Sequence, residues 1–478
     1  MNLILKTDSY KISHPAMWPP NTTSSHYYME ARSDKVYDDL IFFGLQMILK
    51  KYFLTPITMR DIVEAKVFSD LHFGHNVFPY SSWKYILDNY DGYIPVNIKA
   101  VREGSKIQTG NVLMTVESID EKCAWVSGWI ESLLLRVWYP TLVATKSYNV
   151  RKLIDRYLDL SSDSPEEEIW FKLHDFGARA CSSSEQAEIG GAAHLLNFKG
   201  SDTVEGILAA NKYYGNWDDT CPEELVEELS GINMYGNSIP ATEHSVTTSF
   251  GEKSEFKAYR HFINCYLREN QMLACVIDSY DSFNALNSFW CSNEIVENIK
   301  TKDSTIVIRV DSGDPVEEVL SALNILQNTY GYVYNSKGYR VLNNVRVLQG
   351  DGIDIDIVEK ILQETTKNGF SASNVSFGMG GKLLHPGTRD TLGFAYKLSN
   401  LTSGNVNYDV CKSPKTDESK RSKEGRLGLF LDESTGMYET KKLEDSLSDE
   451  FNLLESVYMP GQLLRNHTLS EIRERIWG

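Results

Sequence analysis

Ile306-Val-Ile-Arg-Val-Asp-Ser-Gly313, followed after Asp314 by Pro315-Val-Glu-Glu-Val-Leu-Ser-Ala-Leu-Asn-Ile-Leu326, is the stretch whose reading decides the fold. Its first half is a short apolar run closing on Arg309 and Asp311, the pattern of a buried strand that ends in polar groups. Its second half repeats apolar residues at three- and four-residue spacing, so a helix follows the strand. Other apolar runs stop in the same fashion: Trp170-Phe-Lys-Leu173 before His174-Asp-Phe-Gly177, Leu195-Leu-Asn-Phe198 before Lys199-Gly-Ser-Asp202, and Ala274-Cys-Val-Ile277 before Asp278-Ser-Tyr-Asp281. So do Val345-Arg-Val-Leu348 before Gln349-Gly-Asp-Gly352, Val375-Ser-Phe377 before Gly378-Met-Gly-Gly381, and the run that leads into Ile239-Pro-Ala-Thr-Glu-His-Ser245. Strand-then-helix alternation predicts a parallel sheet with helices outside, and about seven repeats favour a closed barrel over an open sheet. In that geometry Asp175, Asp202, Glu243, His244, Asp278, Asp281, Arg309, Asp311 and Asp351 are expected to share one cavity at the C-terminal mouth. Helix capping by Asp, Ser and Gly explains any one of these motifs. All of them together, with two arginines and a histidine, exceed what capping needs.

The expected fold class is therefore α/β: an irregular (β/α) barrel of about seven strands, plus a mixed α+β domain formed by the N-terminal and C-terminal segments. A chain of 478 residues exceeds a barrel of about 250 and leaves room for that second domain. Residues 166–394 are assigned to the barrel, and 1–165 with 395–478 to the mixed domain. Tyr93-Ile-Pro-Val-Asn-Ile-Lys-Ala-Val101 and Asn111-Val-Leu-Met-Thr-Val-Glu117 alternate apolar and polar residues, as half-buried strands do. Residues 125–138 read as helix, and the polar, proline-containing stretch 161–168 as an exposed connection. Residues 401–405 and the charged run 412–426 read as loops.

A net charge of −17 argues against a nucleic-acid binder and against association with anionic membrane. Any anionic ligand must then be held by placed arginines, lysines and backbone amides. The seven cysteines include no Cys-x-x-Cys pair, which fits reduced thiols and no structural zinc. Lys6 and Asp8 interrupt the N-terminus before a secretory hydrophobic segment forms, and no run is long enough to span a bilayer. The expectation is a soluble, cytoplasmic protein.

Gly378-Met-Gly-Gly381 and Gln349-Gly-Asp-Gly352 offer amides without side-chain obstruction, as a phosphate requires, although tight turns use the same residues. Arg179, Arg309 and Arg389 can grip phosphate oxygens two at a time, and Arg309, closing a strand, is the best placed. Lys412, Lys420, Arg421 and Lys423 read equally well as a solvated face or a polyphosphate site. Asp278, Asp281, Asp311 and Glu243 could hold magnesium, which needs only one or two carboxylates when phosphates complete its shell. His244 is open to structural, acid–base and nucleophilic roles.

Taken jointly, Thr7-Asp-Ser-Tyr-Lys11, Phe43-Gly-Leu-Gln46, Trp138-Tyr-Pro140, Lys172-Leu-His-Asp-Phe-Gly177, Asn197-Phe-Lys-Gly200, Glu243-His-Ser245, Asp278-Ser-Tyr-Asp281, Asp311-Ser-Gly313, Gln349-Gly-Asp-Gly352, Thr388-Arg-Asp390 and Lys420-Arg-Ser-Lys423 resemble the nicotinamide phosphoribosyltransferase family, type II phosphoribosyltransferases, over nearly the whole chain. The resemblance implies transfer of the 5-phosphoribosyl group from phosphoribosyl pyrophosphate to nicotinamide, giving nicotinamide mononucleotide and pyrophosphate in NAD salvage. It implies ATP as co-substrate, coupled through a phosphohistidine at His244, and Mg2+ near Asp278, Asp311 and Glu243. It implies a homodimer in which the nicotinamide ring stacks between Phe176 and Tyr10 of the second subunit. Asp202 would accept from the carboxamide, Arg179 and Arg309 would bind the pyrophosphate region, and Lys412 and Lys420 would serve ATP or pyrophosphate. Gly350, Asp351, Gly380, Gly381, Arg389 and Lys397 would form the ribose-phosphate pocket, and Asp278, Asp311 and Arg309 would support the chemistry beside His244.

The chain departs from the family pattern at Ala178, at Ala395 where a phosphate-contacting Ser is usual, at His385-Pro-Gly387, and across residues 216–237. Two alternatives stand beside the main reading. One is a nicotinate phosphoribosyltransferase, which Asp202 opposes because it would repel a carboxylate. The other is a catalytically silent barrel acting as a binding or signalling protein, which the intact acid, arginine and histidine set opposes.

Overall fold

The computed structural model describes residues 2–215, 234–416, 421–445 and 451–478. It divides into two compact units: Met1–Thr145 with Tyr213–Gly215 and Gly387–Gly478, and Lys146–Lys212 with Asn216–Pro386. The division after Thr145 lies inside the helix Trp138–Ser161, rather than at residue 165 where the polar connection suggested it.

The first unit is built on a seven-stranded antiparallel sheet. Its order is Val406–Asp409, Phe394–Ser403, Thr22–Ala31, Val112–Ser118, Val96–Ala100, Glu455–Met459 and Gln462–Leu463. The expected strands near 93–101 and 111–117 are present, and the C-terminal segment pairs directly with them: Phe394–Ser403 against Thr22–Ala31, and Glu455–Met459 against Val96–Ala100. Residues 401–405 are not a loop throughout, because Leu401–Ser403 continue a strand and the chain reverses at Gly404, whose φ is +57°. Trp83, Trp125 and Trp129 pack edge to face with centroids 5.0–5.4 Å apart in this core, contacts worth roughly 0.5–1.5 kcal/mol each beyond their burial.

In the second unit five parallel strands run in the order Leu173–Asp175, Val375–Met379, Val345–Gln349, Thr305–Val310 and Met272–Val276. Residues 199–202 and 237–242 close the ring through the parallel bridges Asp175–Ser201, Gly200–Asn237 and Ala241–Ala274. Seven strand-like segments thus form the irregular barrel. Two of the seven runs differ from the structure: Leu195–Phe198 is the turn that ends helix Ser184–His194, with the bridging segment beginning only at Lys199, and Trp170–Phe171 belong to the 3-10 turn Ile169–Phe171, with the strand beginning only at Leu173. Helices follow the strands where the apolar spacing put them, including Pro315–Tyr330 and Ile355–Lys367. Asp314 accepts from the amides of Val316 and Glu317 at 3.0 Å each, with Pro315 in the first helical turn; such a cap contributes about 1 kcal/mol.

Interior-facing positions on the ring carry Ala241, Ala274, Val307, Leu348 and Ser376, mostly small side chains. Barrels of this kind normally fill their interior with bulky layers. Here a cavity of about 470 Å³ remains, running from Phe176, Asp202 and Ser238 down to Lys172, Arg346 and Ser373. Among the described residues no helix is long and apolar enough to cross a membrane.

Candidate active site

Parallel strands put all their C-terminal ends at one rim, and most of the expected polar groups gather there. Arg309 ends one strand and donates to Asp311 from Nη2 at 2.5 Å and from Nε at 3.3 Å, a two-pronged pair with both side chains mostly buried. The guanidinium also lies 5.3 Å from the centroid of the Phe176 ring, within cation–π range. Phe176 is held by its amide, which donates to the Met379 carbonyl at 3.0 Å, and by Gly378, where a Cβ would stand 2.1 Å from the ring. Gly350 is required for a similar reason, since its Cβ would fall 2.4 Å from Asp311 Oδ1.

Phe176 is the wall between two cavities. On one side, about 420 Å³ is lined by Arg179, Arg309, Asp311, Gly350, Asp351, Gly380, Gly381 and Lys382. On the other, the barrel interior is lined near the rim by Asp202, Ser238 and His174. The single cavity expected from sequence is thus replaced by two, and neither is lined by His244, Asp278, Glu243 or Asp281. Asp175 is not an exposed rim acid either: it is fully buried, accepting from the Gly177 amide at 2.7 Å, and burial pushes its carboxyl up to about 7.

His244 sits at the first position of the short helix His244–Thr248, with Nε2 2.9 Å from Asp278 Oδ1. The nearly buried carboxylate accepts from Nε2–H, so in the neutral imidazole the lone pair is on Nδ1, on a side chain that is 40% exposed. Glu243 caps the same helix, accepting from the Ser245 amide at 3.2 Å and from its hydroxyl. Those bonds, with His244 and Arg179 nearby, hold its carboxyl below the usual range. Asp281 caps the next turn through the Asn284 amide at 2.8 Å. Capping therefore does account for Glu243 and Asp281. The four acids considered for magnesium are each engaged, Asp278 by His244, Asp311 by Arg309, Glu243 by Ser245 and Asp281 by the Asn284 amide. Among the described residues no three His, Cys, Asp or Glu are arranged to hold a metal ion alone.

Asp202 lies at the rim of the barrel interior, where Ser238 donates to its Oδ1. At the opposite end of that cavity Lys172 is fully buried, donating to the Ser373 carbonyl at 2.8 Å and pairing with Glu168 at 3.3 Å; burial pushes its ammonium down to about 8. Ser238, Lys172 and Arg346 adjoin or lie within quoted motifs, yet nothing in the sequence pattern singled them out as cavity groups, because the side of the ring a residue faces is set by the closed barrel and not by its neighbours in the chain.

The remaining expected residues belong to the first unit. Tyr10 is 57% exposed in the turn Ser9–Ile12. Arg389 pairs with Asp390 at 2.8 Å. Lys397, on strand Phe394–Ser403, has its ammonium lowered by burial and by the neighbouring cations Arg32, Lys412 and Arg389, partly offset by Glu131. Those four basic groups form a cluster in an acidic chain, and Arg32 is the member that sequence spacing could not reveal. Lys420 and the segment 216–233 lie outside the described residues.

A closed parallel ring with an arginine–carboxylate pair and two glycine-lined strand ends at its C-terminal rim defines a (β/α)-barrel enzyme site for a phosphorylated ligand. The comparisons with known proteins sharpen this. The description Nicotinate phosphoribosyltransferase (NAPRTase) family matches residues 171–455, and Nicotinamide phosphoribosyltransferase, N-terminal domain matches residues 2–98. The nicotinamide phosphoribosyltransferase of Xanthomonas campestris pv. campestris (strain 8004) is 44% identical over 475 residues, covering 99% of this chain and 97% of that protein. Human nicotinic acid phosphoribosyltransferase superposes with a TM-score of 0.62 at 17% identity, over 98% of this chain and 92% of that one. A nicotinate-nucleotide pyrophosphorylase from Pyrococcus furiosus gives 0.61 at 13% identity, over 99% and 95%. These two share the fold. The chain belongs to the nicotinate phosphoribosyltransferase family and is a phosphoribosyltransferase.

Proposed function

We propose that the chain transfers the 5-phosphoribosyl group from phosphoribosyl pyrophosphate to nicotinamide, giving nicotinamide mononucleotide and pyrophosphate in NAD salvage. The observation that carries this reading is the position of Phe176 between two cavities, one lined by arginines and glycines, the other by Asp202 and Ser238. An aromatic acceptor stacks on the ring from the Asp202 side, and the sugar phosphate fills the Arg309 side. Ionised Asp202 accepts from a carboxamide N–H and repels the carboxylate of nicotinate. Its ordering by Ser238 favours the amide as acceptor, in keeping with the name of the Xanthomonas relative.

Asp311 and Asp278 stabilise the cationic, oxocarbenium-like sugar as pyrophosphate departs, and Arg179 and Arg309 take up the leaving charge. Asp278, Asp311 or Glu243 would supply the one or two carboxylates that magnesium needs beside the pyrophosphate oxygens, and the ion would there neutralise charge on the leaving group. His244 attacks the γ-phosphorus of ATP through the Nδ1 lone pair of its neutral imidazole, the bond to the bridging oxygen breaks and ADP leaves, and water later takes the phosphoryl as inorganic phosphate; Lys412 and Lys420 hold the nucleotide or the pyrophosphate. The assembly is a cytoplasmic homodimer in which the second subunit supplies Tyr10 to the acceptor ring, and Arg389 and Lys397 serve the ribose phosphate.

Purified protein given phosphoribosyl pyrophosphate, magnesium and either nicotinamide or nicotinate, with and without ATP, tests the reading by the mass of the mononucleotide formed. Nicotinamide mononucleotide, made faster with ATP, is expected. Product from nicotinate alone overturns the role of Asp202, and no product from either overturns the transfer. His244→Ala is expected to lose the stimulation by ATP, and a variant stimulated as strongly as the wild type removes the phosphohistidine from the scheme.

A further inference from the structure

The cavity beside Arg309 and Asp311 reaches a cation that no role above employs. Lys382 lines it directly after Gly380 and Gly381. Its ammonium donates to Asp354 Oδ2 at 2.8 Å, with the side chain 54% exposed. Its main chain is held as well, because Lys146 Nζ donates to the Lys382 carbonyl at 2.6 Å. Asp354 is shared: Oδ1 caps helix Ile355–Lys367 through the Ile357 amide at 3.1 Å, and the hydrogen bond from Lys382 holds the carboxyl below its usual range. Lys382 therefore pairs with a carboxylate that already has a structural duty, and the half-buried Lys146 ammonium, bonded to the Lys382 carbonyl, is near enough to act electrostatically on the same carboxylate. The rim carries a local excess of positive charge in a chain of net charge −17.

The adjoining backbone leaves room for a ligand. A Cβ at Gly381 would meet only Ala180 at 3.5 Å, and one at Gly380 only the Phe176 main chain from 3.5 Å outward. Arg309 and Asp311 occupy the Phe176 side of the cavity, where the sugar must meet the acceptor ring and shed pyrophosphate. The other end of the sugar, with its 5′-phosphate, then belongs on the Asp354 side. A lysine on a flexible stem can exchange one carboxylate oxygen for a phosphate oxygen without moving the main chain that Lys146 pins.

We propose that Lys382 is a binding residue for the 5′-phosphate, its ammonium passing from Asp354 Oδ2 to a phosphate oxygen when the sugar phosphate arrives. The proposal rests on the phosphoribosyl-transfer reading. It is tested in the reverse reaction, where nicotinamide mononucleotide carries the 5′-phosphate and pyrophosphate is a separate substrate. In Lys382→Met the KM for the mononucleotide is expected to rise about tenfold, as for one lost charge-assisted hydrogen bond, while the KM for pyrophosphate keeps its wild-type value. Lys382→Arg, which keeps the charge, is expected to restore most of the loss. Wild-type turnover with an unchanged mononucleotide KM in Lys382→Met, or a rise for pyrophosphate alone, overturns the assignment. A wild-type protein that releases no nicotinamide from the mononucleotide and pyrophosphate overturns the transfer reading, and the lysine's role with it.

Discussion

Asp202 and Asp175 stand on neighbouring segments of the ring, joined by the Asp175–Ser201 bridge, and show how burial divides the work of two like residues. Asp202 faces the acceptor cavity, bonded to Ser238, and its charge is available for selection. Asp202→Asn removes the repulsion toward a carboxylate, so the ratio of kcat/KM for nicotinamide over nicotinate is expected to fall about tenfold or more; an unchanged ratio would take selectivity away from this residue. Asp175 is buried, and burial raises its carboxyl to about 7 from a free value of about 3.9. Between those values the folded state holds a proton that the unfolded state has lost, so this group's contribution to stability falls as pH rises from about 4 to about 7 and is flat above. Urea midpoints of Asp175→Asn measured at pH 5 and pH 7 are expected to fall less with pH than those of the wild type. Equal declines in both proteins would show that Asp175 ionises freely. Asp175 was legible in sequence as a strand-end acid. Its burial was not, because depth depends on what the rest of the ring lays over it.

At the scale of elements, the two glycine-bearing strand ends do different things from those expected of phosphate cradles alone. Gly350 lets the strand Val345–Gln349 pass its neighbour's Arg309–Asp311 pair, and Gly378 lets the Phe176 ring lie on the strand Val375–Met379. Gly350→Ala would push a methyl to 2.4 Å from Asp311 Oδ1. It is expected to cost about 1–3 kcal/mol of stability and to raise the KM for phosphoribosyl pyrophosphate, seen together in a melting curve and steady-state kinetics. A variant with wild-type KM would show that the arginine pair adapts. The helix starts were legible because a cap is a local contract between neighbouring residues, as at Asp314 and Glu243. Residues 199–202 and 237–242, which close the ring, carry no strand periodicity, and only their bridges to Asp175 and Ala274 make them strands.

At the scale of the whole molecule, the residues the reading requires are spread over two units of the chain, with Phe176 and Asp202 in one and Tyr10, Arg389 and Lys397 in the other. The homodimer proposed above has a direct consequence. Phe176→Ala and Tyr10→Ala are each expected to be nearly inactive alone. Unfolded together and refolded as a mixture, they should recover about a quarter of wild-type activity, since half the dimers are hybrids with one intact site. No recovery, with hybrid dimers demonstrated by mass, would place Tyr10 in its own subunit's site.

The sequence by itself determined the alternation of strand and helix, the helix caps, the split into a barrel and a second sheet-bearing unit, and the family signature. Each of these is written in residues close to one another along the chain. Only the tertiary structure decided that the polar strand ends serve two cavities divided by Phe176, that Asp175 is buried while Asp202 faces the acceptor cavity, and that Lys382, Lys146 and Asp354 meet. It also gathered Arg32, Arg389, Lys397 and Lys412 into one cationic cluster. The physical reason is common to all of these: charge state, depth and partnership are set by groups tens to hundreds of residues away, which packing brings within a few ångströms and which no local pattern encodes.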